Sequence, residues 1–187
     1  HLLRCYYYKG KFVAEYDQEK KEFFNEGKAL GEKLIKLYPK SAGAYYWYLV
    51  NLGSWAEVYG ILSAAKEGVA NTMREYSNKI IDIDSSYSDG GGYFMLGAVH
   101  LKSPYIPFIL SWPSDEMALN YLTLAYETGD STPSQTVYLA RALYANGEKE
   151  KAISMLNSLL GEKISESYKL EDLEQHDIAR KQLEDWK

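Results

Sequence analysis

A chain of 187 residues, 46% hydrophobic and 25% charged, is long enough to bury a sizeable core as one domain spanning residues 1–187. Its net charge of -5, with 21 Lys and Arg spread along the chain, offers no basic stripe to neutralise phosphates, so nucleic acid is not an expected partner. No run approaches ~18 consecutive apolar residues, so no segment is expected to span a bilayer, and the chain is expected to be soluble. The single cysteine, Cys5, excludes an internal disulfide and a cysteine-based zinc site.

The chain begins at His1 without an initiator Met or a signal-like segment, which reads as loss of the true N-terminus and its targeting information. Leu2-Leu3-Arg4-Cys5 has a faint likeness to a lipoprotein cleavage site, with Arg4 where a small residue is required; an ordinary helix start is the alternative. Aromatic usage is unusual. The 18 Tyr and 4 Trp cluster as Tyr6-Tyr7-Tyr8 and Tyr45-Tyr46-Trp47-Tyr48, suiting half-buried helix faces and binding surfaces alike.

Large and small residues then recur at helical spacings. Gly27, Gly31, Leu34 and Pro39 predict a helix and its terminating proline, although glycine at two packing positions weakens it. Met73, Ser77, Ile80 and Ser85 repeat that arrangement. Tyr93, Leu96-Gly97 and His100 predict a first helix, followed by Ala118, Leu122 and Ala125 on a second. Tyr93 and Ala118 lie 25 positions apart, against about 16 in a tetratricopeptide repeat, so about nine residues are inserted around Lys102 to Trp112. Thr136, Leu139-Ala140, Leu143, Ala152, Leu156 and Leu159 hold the ~34-residue register without insertion, with Asn146-Gly147 as the turn. Pairs should end near Pro39, Ser85, Asp130 and Gly161. A last amphipathic helix from about Asp172 to Trp186 carries Leu173, Ile178, Ala179, Leu183 and Trp186 on its apolar side and would cap the open end. Strand alternation is absent. The predicted fold is all-α, an α-solenoid of about four degenerate tetratricopeptide-like pairs with a C-terminal capping helix.

Chemistry is sparse. His1, His100 and His176 lie far apart, without metal-ligand spacing, so neither a metal nor a cofactor is expected. Asp82 and Asp84 read as a solvated helix end. Asp89-Gly90-Gly91-Gly92 lacks the preceding strand and following Lys-Ser or Lys-Thr of a phosphate loop and reads as a lead into a helix. Nucleophile elbows, kinase signatures and dinucleotide fingerprints are missing. The chain is therefore expected to bind and not to catalyse, the least favoured alternative being an enzyme that uses His100 with Asp115 or Glu116.

Groove positions follow from the repeat register, at offsets of roughly one, five and eight residues into each first helix. They are Tyr46, Val50 and Gly53, then Phe94, Ala98 and Leu101, then Val137, Arg141 and Tyr144. The groove should be aromatic and apolar, with Arg141 as the anchor for a carboxylate. The 102–113 insertion places apolar residues between prolines, so it should pack somewhere: on the core, over one end of the groove or against another subunit. Tyr105, Phe108 and Trp112 are its candidate contact residues.

A longer constellation from about Gly43 to Leu160 resembles the T component associated with tripartite ATP-independent periplasmic transporters. It comprises Ala44-Tyr45-Tyr46-Trp47, Leu52-Gly53-Ser54-Trp55-Ala56, Ile83-Asp84-Ser85-Ser86-Tyr87, Asp89-Gly90-Gly91-Gly92 and Leu96-Gly97 with its proline-containing loop. The resemblance implies an accessory transport protein that is periplasmic, lipid-anchored and homo-oligomeric. It would work with a periplasmic solute-binding protein on small hydrophobic or carboxylate-bearing ligands. The missing signal and the poor cleavage site depart from that family and leave a cytoplasmic compartment open. A generic tetratricopeptide scaffold that binds peptides is the alternative function. A similar repeat arrangement also occurs in a eukaryotic family of microtubule-dynamics regulators, whose domain likewise binds and does not catalyse.

Overall fold

Among residues 1–108 and 110–186, which the computed structural model describes, helix is the only extended regular structure; one isolated bridge pairs Ile106 with Leu110. The all-α class predicted from spacing is therefore observed. The chain divides into two compact units, His1–Tyr87 and Ser88–Lys187.

The first unit contains α1 (Leu2–Tyr8), extended by a π-helical stretch Lys9–Val13, then α2 (Asp17–Leu37), α3 (Ala42–Tyr59), α4 (Ile61–Lys66) and α5 (Val69–Ile83). Phe24, Leu49, Leu52 and Ile80 are its most deeply buried large side chains. Both α2 glycines face α3. A Cβ on Gly31 would lie 2.5 Å from Tyr48 Cδ2, and one on Gly27 would collide with the Asn51 side-chain amide. Glycine at these positions lets two helices approach closely, which offsets their low helix propensity. Asn51 is fully buried, and its amide donates to the Trp47 carbonyl at 2.8 Å and to the Leu3 carbonyl at 3.1 Å, tying α1 to α3. Cys5 lies within α1, whose Leu3 is buried, so Leu2 to Cys5 are part of a folded helix.

The second unit contains α6 (Tyr87–Lys102), α7 (Asp115–Thr128), α8 (Pro133–Ala145), α9 (Lys149–Leu160) and α10 (Lys169–Asp185). Regular α6 geometry follows a break at Ser88, Asp89 and Gly90, all left-handed at φ 53, 55 and 76°. The core holds Ala118, Leu122, Val137, Ala140, Ala152, Leu156 and Leu159, each with no solvent exposure. Gly97 on α6 sits where a Cβ would strike Leu122 of α7, the large-against-small contact expected from spacing. Caps fix the helix starts. Ser114 Oγ accepts from the Met117 amide at 3.3 Å, and Thr132 with Gln135 closes a reciprocal capping box, followed by Pro133 in the first turn. Gly147, at φ +89°, makes the α8–α9 turn in the left-handed region that glycine enters without a Cβ clash.

Helix ends at Leu37, Ile83, Thr128 and Leu160 fall close to the expected pair ends. On the last helix Ala179 is buried and Ile178, Leu183 and Trp186 pack against the core as expected, and Leu173 alone of the predicted apolar side departs. Asp172, Gln175, His176 and Ala179 form its buried face, while Leu173 is 42% exposed. The buried Asp172 is satisfied by the Ser165 amide, which donates to its Oδ2 at 2.9 Å.

Candidate binding surface

The second unit carries a face of aromatic rings and cations. On α8, Arg141 is three residues from both Tyr138 and Tyr144 and so neighbours each of them on the helix surface. Phe94 of α6 meets the Tyr138 ring edge-to-face at 5.0 Å. Lys102 Nζ and Arg141 Cζ lie 5.3 and 5.8 Å from the centre of the same ring. Farther along, Tyr144 stacks on Trp186 at 4.0 Å with planes only 5° apart, and Lys149 Nζ lies 5.1 Å from the Tyr144 ring. Cations near ring faces gain about 0.5–1 kcal/mol at exposed sites and more when desolvated, so the rings hold these charges in place. Arg141 takes part in no salt bridge among the described residues.

The groove positions predicted from sequence are distributed over both units. Tyr46 and Val50 are half-buried on α3 in the first unit, where Tyr46 packs edge-to-face on Trp47 at 5.4 Å and on Tyr87 at 5.6 Å. Phe94, Leu101, Arg141 and Tyr144 are half-buried in the second unit. Ala98 and Val137 are buried, Val137 completely, and lie in the core beneath that face. Tyr138, the residue after Val137, carries the ring contacts and was missed. Its three-residue spacing from Arg141 is the signal that would have found it.

The insertion divides between packed and exposed residues. Tyr105 is 64% exposed and Phe108, at φ +65°, is fully exposed, so neither packs on its own unit. Trp112 does pack, edge-to-face on His100 at 4.9 Å. Ile109 lies outside the described residues. His100 is buried, and its Nδ1 accepts the Ser114 amide at 3.2 Å, fastening the end of the insertion to α6. Among the described residues, no group of three or more His, Cys, Asp or Glu is placed to hold a metal. A cleft of about 320 Å³ lies among α7, α8 and α9, with Tyr126, Thr136, Lys151 and Met155 in its walls; it includes none of the predicted groove residues.

In the first unit, a polar-aromatic cluster joins α2 to α3. Asn25 Oδ1 accepts from Trp55 Nε1 at 2.8 Å while its amide donates to the Tyr59 hydroxyl at 2.8 Å. Lys28 lies over the Trp55 ring and pairs with Glu67 at 2.8 Å, which holds the Glu67 carboxyl below its ordinary value. These side chains serve one another, so the cluster reads as structural.

Sequence comparison gives two findings. The family described as Regulator of microtubule dynamics protein 1-3 matches residues 1–102. Regulator of microtubule dynamics protein 3 of Rattus norvegicus is 32% identical over 85 residues, which is 46% of this chain and 17% of the rat protein. The chain thus spans about a sixth of the length of that curated relative. These matches overturn the resemblance to the transporter T component. The accessory transport role, the periplasmic compartment, the lipoprotein anchor and the solute-binding partner rested on that resemblance and fall with it. No helix among the described residues is long and apolar enough to cross a membrane.

Proposed function

Since the chain belongs to the family of regulator of microtubule dynamics proteins 1-3, we propose that it is a non-catalytic protein-binding module acting on microtubules or on proteins that control them. The carrying observation is the family match across residues 1–102, which takes in the whole first unit and α6. Repeated helix pairs suit this role, because tetratricopeptide-like pairs present side chains along a surface and hold them rigid from behind. We read the pairs here in that way. The side chains available are rings and cations on helix faces, the chemistry of protein recognition, with aromatics and arginine as anchors.

The test is co-sedimentation of the purified 187-residue chain with polymerised tubulin, together with turbidity measurements of tubulin assembly. The chain should pellet with microtubules in a saturable manner or change the lag or plateau of assembly. Neither effect, over a concentration range reaching well above that of tubulin, would refute direct action on microtubules.

A further inference from the structure

The outward side of α2 carries its charges in order. Glu19, Glu22, Glu26, Ala29, Lys33 and Lys36 follow one another at intervals of three, four, three, four and three, so they form one stripe along the helix. Lys40 continues it four residues on, just past the helix end. All seven are exposed, on the side away from the buried Phe24, Gly27, Gly31 and Ile35. The first half of the stripe is acidic and the second half basic. Among the described residues none of its six charges enters an ion pair. Glu19 and Glu22 accept from the amides of Glu15 and Gln18, and Glu26 accepts from the Tyr6 hydroxyl, all uncharged donors. Such segregation sets like charges three and four residues apart, which disfavours a helix, whereas Glu and Lys mixed at those intervals would favour it. The helix dipole does not account for the order. Its influence is confined to the first and last turns, and Glu22, Glu26 and Lys33 lie outside them.

We propose that this stripe is a self-complementary interface through which two copies of the chain pair, α2 against α2 and antiparallel. Charge order selects the occupant. Glu22 and Lys36 stand seven residues either side of Ala29, Glu26 and Lys33 stand three and four, and Glu19 and Lys40 stand ten and eleven. A two-fold axis at Ala29 therefore sets each Glu of the stripe opposite a Lys of the other copy, and every such pair occurs twice. The small Ala29 falls where the two helices cross and leaves room for their backbones to approach. Parallel pairing would set Glu on Glu and Lys on Lys, so the charges that join the antiparallel pair reject the parallel one. Leu30, half-buried, and Leu37, 69% exposed, flank the stripe seven residues apart and give the contact an apolar edge. An acidic peptide or an anionic membrane would match only the basic half. The inference goes beyond the microtubule reading and is tested without tubulin.

The test is analytical ultracentrifugation of the full chain over a concentration series reaching the millimolar range, at ~20 mM and at ~500 mM salt. The chain should form a dimer whose dissociation constant rises about tenfold or more between the two salts. Two charge reversals decide the interface. Glu22→Lys with Glu26→Lys turns the middle of the stripe basic throughout, and Lys33→Glu with Lys36→Glu turns it acidic throughout. Each variant alone should stay monomeric where the wild type dimerises, and an equimolar mixture should restore the dimer as a heterodimer, because opposite charges then face each other again. All four positions are exposed, so the fold should tolerate the changes, and circular dichroism verifies it. If a double variant does not fold, Glu22→Lys and Lys36→Glu are mixed in its place. A wild-type chain that is monomeric throughout, a dimer that survives either reversal or is indifferent to salt, or a mixture that stays monomeric would each overturn the proposal.

Discussion

In Gly31→Ala two effects of opposite sign meet at one atom. An alanine Cβ would sit 2.5 Å from Tyr48 Cδ2 and 2.9 Å from Tyr48 Cβ. The Tyr48 Cβ is fixed by the α3 backbone, and its ring is 5% exposed and packed against Tyr76 at 5.8 Å, so the neighbour has little room to yield. Overpacking of this kind costs about 1–3 kcal/mol, and the upper end applies here. Alanine in a helix interior returns about 1 kcal/mol relative to glycine, leaving a net loss of about 2 kcal/mol. For a unit of this size, about 4–8 °C of Tm per kcal/mol converts the loss to a fall of roughly 10 °C in the first unit's transition. Gly53→Ala on α3 is the matched control: its Cβ would meet only Met73 Cε, at 3.8 Å. That variant should gain up to about 1 kcal/mol and melt several degrees higher. Calorimetric and circular-dichroism melts of the two proteins check the pair. A shift in the same direction for both, or an unchanged Gly31→Ala transition, would refute close α2–α3 packing as the role of Gly31.

Thr132→Ala should cost about 1 kcal/mol through loss of a cap. Gln135→Ala should cost more, about 1–3 kcal/mol, because the Gln135 amide also donates to the Asp89 and Ala125 carbonyls; urea midpoints order the two. Burial raises the Tyr48 phenol above its ordinary value. A folded-state value above the unfolded one of about 10 means this stabilisation is complete below about pH 10 and is lost as pH rises through the folded value. Alkaline unfolding curves should therefore be flatter for Tyr48→Phe than for the wild type. Phe108→Ser should change stability by less than about 0.5 kcal/mol, since the ring is fully exposed, whereas Trp112→Ala should lower Tm measurably by undoing the contact with His100. Light scattering on Phe108→Ser then reports whether that exposed ring joins copies of the chain.

Most of the helical framework was legible because its signals are local. Gly147, Pro39 and the small-large pairs around Gly97 and Leu122 each act within a turn or between adjacent helices, and the helix ends fell where those residues placed them. Side-chain facing was less legible. On α8 the repeat register selected Val137, yet core packing rotates Tyr138 onto the surface. On α10 the apolar side faced the core at Ile178, Ala179, Leu183 and Trp186, but the buried polar residues Asp172, Gln175 and His176 beside it were not foreseen. The left-handed break at Ser88-Asp89-Gly90 had no usable signal, because two of its three residues carry a Cβ. Family was misread for a physical reason. Tyr45, Leu52, Trp55 and Leu96, which carried much of the transporter resemblance, are buried, so packing chose them and they say little about what the surface meets.

The Asn51 tie between α1 and α3 bears on how the chain is handled in the laboratory. Asn51 Oδ1 already lacks a partner, and half of what the amide nitrogen donates goes to the carbonyl of Leu3, the third residue of the chain. Trimming the start, even as far as Arg4, would strand that donor in an apolar interior at a cost of about 1–3 kcal/mol and uncover the surface that Leu3 seals. Fusion tags and shortened versions should therefore leave residues 1–8 intact, and amide exchange at Asn51 would be an early sign that a shortened version has loosened.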